Sequence, residues 1–104
     1  MSVFVSVEDR EGDLLIDVFE LNRIVRRFAV QKGPCLRFVG DEEDASFNVL
    51  QIPVILDELE GLAGQSLDDA EAEELKRLVD VCRKYAGRRH VHLRFYGDTG
   101  SAEE

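Results

Sequence analysis

Residues 13–28 read DLLIDVFELNRIVRRF, and whether this stretch is strand or helix decides how the rest of the chain is layered. Leu14, Ile16 and Val18 alternate as a half-buried strand would, whereas Leu14, Val18, Leu21, Val25 and Phe28 keep the three- and four-residue spacing of a helix. The longer pattern predicts a helix from about Asp17. Asp17 stands as an N-cap with Glu20 three residues on, and Arg23, Arg26 and Arg27 suit the negative end of the helix dipole. A short strand at Asp13–Ile16, hairpinned to the strand before it, is the alternative for the start of the stretch.

Upstream, Val3–Val7 is a β-rich run, and the charged, glycine-bearing Glu8–Asp13 makes a turn. Downstream, Gly33-Pro34 ends the expected helix and Cys35–Val39 reads as the next strand. Gly40–Asp44 is a turn, and Ser46–Leu50 offers a return strand. Pro53 then fits the first turn of a helix, where its missing N–H costs nothing. Ile52, Ile55, Leu56, Leu59, Leu62 and Ala63 form a single apolar stripe, weakened at its end by Gly61 and Gly64. Ser66 with Asp69 resembles a capping box opening a further helix, whose core face is Leu75, Leu78, Val79, Cys82, Tyr85 and Ala86. Gly87 stands where a C′ glycine belongs, and His90–Tyr96 is the last strand.

The expected fold is therefore a two-layer α+β or α/β domain of order β(β)αβ(β)ααβ: a small mixed sheet of three to five strands with three helices packed on one face. One globular domain is expected over residues 1–98, followed by a flexible acidic tail at residues 99–104. With 104 residues and 44% hydrophobic residues, such a domain can bury a core without disulfides. Cys35 and Cys82 lack the CxxC spacing of a zinc or redox site.

One hexapeptide is written almost twice. Leu36-Arg37-Phe38-Val39-Gly40-Asp41 recurs as Leu93-Arg94-Phe95-Tyr96-Gly97-Asp98, with five of six positions identical. If both copies are strands, Leu36 and Phe38, like Val91, Leu93 and Phe95, turn to the helix-covered core. The other face then collects Cys35, Arg37 and Val39 from one strand and His90, His92, Arg94 and Tyr96 from the other. Each Gly-Asp serves as a turn. Arg37, Arg94, His92 and Tyr96, with Phe4 beside them, are the candidate contact surface, since Arg and Tyr are favoured at interface centres.

The chain holds 22 acids against 13 bases, a net charge of −9. That opposes nucleic-acid binding, which rests on neutralising phosphates, and it speeds encounter with a basic protein. Asp41, Glu42, Glu43 and Asp44 form an acidic run without the glycine and spacing of a calcium loop, so a solvated turn or a patch for a basic partner is expected. His90 and His92 stand two apart, but no third metal ligand is fixed by spacing, and no metal or cofactor is expected. Cys35, placed among arginines, would have a lowered thiol pKa. GxSxG, Walker A, GxGxxG and HExxH patterns do not occur, nor does the glycine-aromatic signature of RNA-recognition sheets.

The first residues lack a basic region followed by a long apolar stretch, so no signal peptide or membrane contact is expected, and the cytoplasm is the expected location. The leading expectation for function is a small non-catalytic binding or regulatory protein that occludes a basic protein partner stoichiometrically, as an immunity-type inhibitor does. A homo-oligomeric interaction module is the first alternative. A small enzyme or ligand-binding protein using His92, Arg94, Arg37 and a carboxylate such as Asp98 is the second.

Overall fold

The computed structural model describes residues 3–28, 33, 35–39 and 44–97. Its strands are β1 (Val3–Asp9), β2 (Phe19–Leu21), β3 (Asp44–Phe47) and β4 (Val91–Gly97). Two α-helices, α1 (Ile52–Ala63) and α2 (Asp69–Tyr85), fill the chain between β3 and β4, and two short 3₁₀ turns, Ile24–Arg27 and Leu36–Phe38, lie between β2 and β3. The sheet runs β2-β1-β4-β3, and every neighbouring pair is antiparallel. The expected mixed sheet with three helices is thus corrected, among the described residues, to a four-stranded antiparallel sheet with two. The strands nearest the two ends of the sequence lie side by side at its centre, in register from Val3 opposite Gly97 to Asp9 opposite Val91.

Strand alternation sorts β1 and β4 into two faces. Val3, Val5, Val7, Val91, Leu93 and Phe95 are buried in one continuous core with Phe19, Leu21 and Phe47 from the outer strands. The helices complete that core with most of the stripes their periodicity predicts: Ile52, Ile55, Leu59 and Leu62 from α1, and Leu75, Leu78, Cys82 and Tyr85 from α2, while Leu56, Val79 and Ala86 are half-buried and Ala63 is exposed. Gly87 adopts φ +84°, the left-handed conformation that lets the chain leave α2 without a Cβ clash.

Four local expectations are overturned, and in each case a side chain distant in sequence or a competing local bond decides. The helix expected from Asp17 is instead strand β2 followed by a 3₁₀ turn. Phe19 and Leu21 are buried and Glu20 is exposed, a period of two that pairs with β1, so Asp17 caps nothing. The chain then stops extending because the Glu74 carboxylate of α2 accepts the N–H groups of Asn22, Arg23 and Ile24 at 3.0–3.2 Å. The strand expected at Cys35–Val39 is a 3₁₀ turn for the same reason: Glu58 of α1 accepts from Cys35 N and Leu36 N, both at 3.1 Å. These two turns have no carboxylate of their own to cap them, and the helices supply it.

The return strand expected at Ser46–Leu50 is shifted to Asp44–Phe47. Asn48 and Gln51 close a turn reciprocally, Asn48 N donating to Gln51 Oε1 at 3.0 Å and Gln51 N to Asn48 Oδ1 at 3.2 Å. The cap of α2 is Asp68 with Glu71, two residues after the expected Ser66: Glu71 N donates to Asp68 Oδ1 at 2.7 Å and Asp68 N to Glu71 Oε1 at 3.1 Å. Of the alternative strand at Asp13–Ile16, a single bridge remains, Leu14 opposite Glu8.

Candidate binding face of the sheet

The face of the sheet away from the core is built by the even-numbered residues of β1 and β4. Register places Glu8 opposite His92, Ser6 opposite Arg94 and Phe4 opposite Tyr96. The outer strands extend the last two of these rows, since β3 sets Ser46 beside Arg94 and Asp44 beside Tyr96, while β2 sets Glu20 beside Phe4. The result is a cross-strand row of four, Glu20–Phe4–Tyr96–Asp44, in which two rings are bracketed by two carboxylates. Residues opposite each other in such rows have Cβ atoms about 5 Å apart, so their side chains interact.

Arg94 organises the middle of the face. Its Nη1 donates to Glu8 Oε2 at 3.1 Å, its Nη2 lies 4.0 Å from Asp44 Oδ2, and its guanidinium carbon sits 5.3 Å from the Tyr96 ring centroid. Ser6 beneath it is fully buried although it is on the outer face, and its hydroxyl donates to the same Glu8 Oε2 at 3.1 Å. The Phe4 and Tyr96 rings meet at 6.1 Å with 30° between their planes, a contact that presents one aromatic surface rather than two isolated rings. Among the described residues no cation stands over Phe4, and Glu20, exposed at the sheet's edge, has no ion-pair partner.

Of the contact residues expected from the sequence, His92, Arg94, Tyr96 and Asp44 do share this face. Arg37 does not, because its segment is a 3₁₀ turn and not a strand; it is exposed there. Asp41, Glu42, Glu43 and Asp98 lie outside the described residues, as does the expected tail at residues 99–104. The expected HVH pair is also divided, since His90 precedes β4 in a left-handed turn with φ 63° and only His92 belongs to the strand. Among the described residues no group of three or more metal-ligating side chains converges. Glu8 and Glu20 were not singled out by sequence reasoning. Alternation from the buried Val3, Val5 and Val7 finds Glu8, but Glu20 joins the face only once residues 19–21 are a strand.

A second polar constellation is internal. The fully buried Glu71 carboxylate receives Arg27 through two nearly parallel bonds, Nε to Oε2 at 2.8 Å and Nη2 to Oε1 at 3.0 Å, and Arg26 Nε donates to Oε2 at 3.0 Å. Arg27 Nη2 also reaches the Ser66 carbonyl at 2.9 Å, so one cluster ties the first 3₁₀ turn to the start of α2. The Arg27 hydrogen bond, then the backbone N–H of Asp68, hold the Glu71 carboxyl down at about 2 against the opposing effect of burial. A charge so thoroughly matched is a fastener and has no free lone pair directed at solvent.

The thiols are also interior. Burial pushes Cys82 up to about 12, and burial together with the neighbouring Glu58 raises Cys35. The activated Cys35 expected among arginines is therefore corrected: it is buried, and its charged neighbour is a carboxylate.

Shallow grooves mark the described surface. One, of about 410 Å³, runs between β2 and α2 and is lined by Phe19, Glu20, Leu21, Glu73 and Arg77 among others. The Arg77 guanidinium carbon lies over the Phe19 ring there, 4.3 Å from its centroid. No helix among the described residues is long and apolar enough to cross a membrane. No family model matches the chain, no curated protein matches its sequence, and no solved structure matches its fold.

Proposed function

We propose that this protein works by binding, engaging a basic protein partner one-to-one across the outer face of its sheet and blocking the surface it covers. The observation that carries the reading is the Glu20–Phe4–Tyr96–Asp44 row. Rigid aromatic surface at the centre with charged groups at its borders is the anatomy of an interface, where rings supply the contact area and rim charges choose the partner. Glu8, Glu20 and Asp44 outnumber Arg94 on this face, and the whole chain carries −9, so the complementary surface is basic. An inhibitor of immunity type, neutralising a basic enzyme, is the specific form of this reading.

The test is paired capture from native lysate of the source cells, with the wild-type chain and the Glu20→Lys/Asp44→Lys variant as baits. A single basic protein retained at equal stoichiometry by the wild type, released by salt and not held by the variant, is the expected result. If both baits retain the same protein, or the wild type retains none at unit stoichiometry, the reading falls.

One observation favours a second reading, self-association. Leu14, Leu15 and Val18 are 55, 39 and 39% exposed in the segment leading into the edge strand β2. Apolar side chains gathered beside an unpaired strand edge are a means of joining copies. Light scattering from micromolar to millimolar concentration decides it, since a strict monomer removes this reading.

A further inference from the structure

Arg94 shows how this sheet face treats a guanidinium: it lies over the Tyr96 ring while its nitrogens reach the carboxylates of Glu8 and Asp44. One strand over, the same two ingredients recur without the cation. Phe4 meets Tyr96 in the same row, ring centroids 6.1 Å apart, and its cross-strand neighbour on β2 is the exposed Glu20, which has no ion-pair partner among the described residues. Directly opposed residues have Cβ atoms about 5 Å apart, so a ring and a carboxylate paired in this way can serve a flat cation that stacks with one surface and donates with its edge. The guanidinium does both at once; a lysine ammonium is compact, strongly hydrated and has no plane to stack.

We propose that Phe4 and Glu20 form a receptor for one arginine side chain of the basic partner, which would lie beside Arg94 and repeat its contacts on the neighbouring ring. This rests on the binding role proposed above and adds which residue type the face selects. The second guanidinium is tolerated next to Arg94 because Glu8, Glu20 and Asp44 surround the pair with three negative charges.

The probe is a capped Gly-Arg-Gly peptide titrated into the ¹⁵N-labelled full chain, with capped Gly-Lys-Gly and Gly-Gln-Gly as comparisons. Saturable millimolar shifts confined to Phe4, Glu20 and Tyr96 are expected with arginine, weaker ones with lysine and none with glutamine. Glu20→Gln, an exposed change that leaves the fold intact, should weaken arginine binding about two- to fivefold, the range of an exposed ion pair. Phe4→Leu should remove ring shifts and selectivity for arginine over lysine together. Arginine and glutamine peptides giving the same shifts, shifts scattered over all the acids, or unaltered binding by Glu20→Gln would overturn the proposal. A basic partner captured by the wild-type bait while the arginine peptide leaves this row untouched sinks this inference alone; a specific peptide response without any stoichiometric partner sinks only the broader reading.

Discussion

Glu71 is a fully buried carboxylate that the fold satisfies completely, with two arginines on its oxygens and a backbone N–H closing its capping box. Its carboxyl is held from the ordinary 4.5 down to about 2, chiefly by Arg27. A folded-state value below the unfolded one means that the unfolded chain takes up the proton first. The stabilisation is whole above about pH 4.5 and drains away as pH falls toward about 2. Urea midpoints measured from pH 6 to pH 2 should therefore fall across that window. In Glu71→Gln the chain should be less stable at neutral pH and its midpoint should decline less steeply on acidification; an unchanged slope would mean that other carboxylates govern acid sensitivity. The thiols give a second residue-scale expectation. Both are buried and both have raised pKa values, Cys82 to about 12, so neither should react with dithionitrobenzoate at neutral pH until the chain unfolds. Fast modification of one thiol in the native protein would contradict the burial of Cys35.

At the scale of elements, the two 3₁₀ turns depend on carboxylates borrowed from the helices. Glu74 accepts three backbone N–H groups after β2, and Glu58 accepts two at the start of the Leu36–Phe38 turn, from Cys35 and Leu36. Truncating Glu74 to alanine should cost about 1–2 kcal/mol, as loss of a helix cap does. Glu74→Gln keeps an acceptor oxygen and should cost less than half as much, so chemical denaturation of the two variants separates capping from charge. Gly33 guards the other cap, because a Cβ at that position would fall 2.5 Å from Glu58 Cδ. The carboxylate would have to swing away from Cys35 and Leu36, and Gly33→Ala should accordingly destabilise the chain by about 1 kcal/mol or more. These dependencies explain the misread segments. Residues 17–28 satisfy helical spacing, but periodicity holds no information about a carboxylate more than forty residues away. The helices α1 and α2 are legible because their stripes are long and apolar and are bounded by local signals such as Pro53 at the start of α1 and Gly87 after α2.

For the whole molecule, topology places the largest demand on β4. It pairs with both β1 and β3, and its partner β1 lies at the opposite end of the sequence. Phe95, fully buried at the centre, should cost about 3–5 kcal/mol on substitution by alanine, while Leu50→Ser, 79% exposed, should stay within about 0.5 kcal/mol. Thermal melts of the pair check both figures. A chain truncated after His90 should not fold, because β1 and β3 would then have no strand between them. Closing a sheet between strands so far apart in sequence should also slow refolding to milliseconds or longer, as for other folds dominated by non-local pairing; microsecond refolding would mean that the helices carry most of the barrier crossing.

The repeated Leu-Arg-Phe-x-Gly-Asp separates what the sequence alone determined from what the tertiary structure decided. Alternation and apolar periodicity are local properties, and they sufficed for β1, β4, both helices and most of the core. Val91, Leu93 and Phe95 point inward, and His92, Arg94 and Tyr96 outward, as strand parity requires. The first copy has the same local pattern, yet its Leu36–Phe38 forms a 3₁₀ turn, because Glu58 captures the N–H groups of Cys35 and Leu36 and leaves Arg37 off the sheet. Identical letters thus took different structures from different surroundings. The outer face needed the same long-range information. Its row joins β2, β1, β4 and β3, four segments that meet only when the sheet closes, and hydrogen-bond register between distant strands set Glu20 beside Phe4 and Asp44 beside Tyr96.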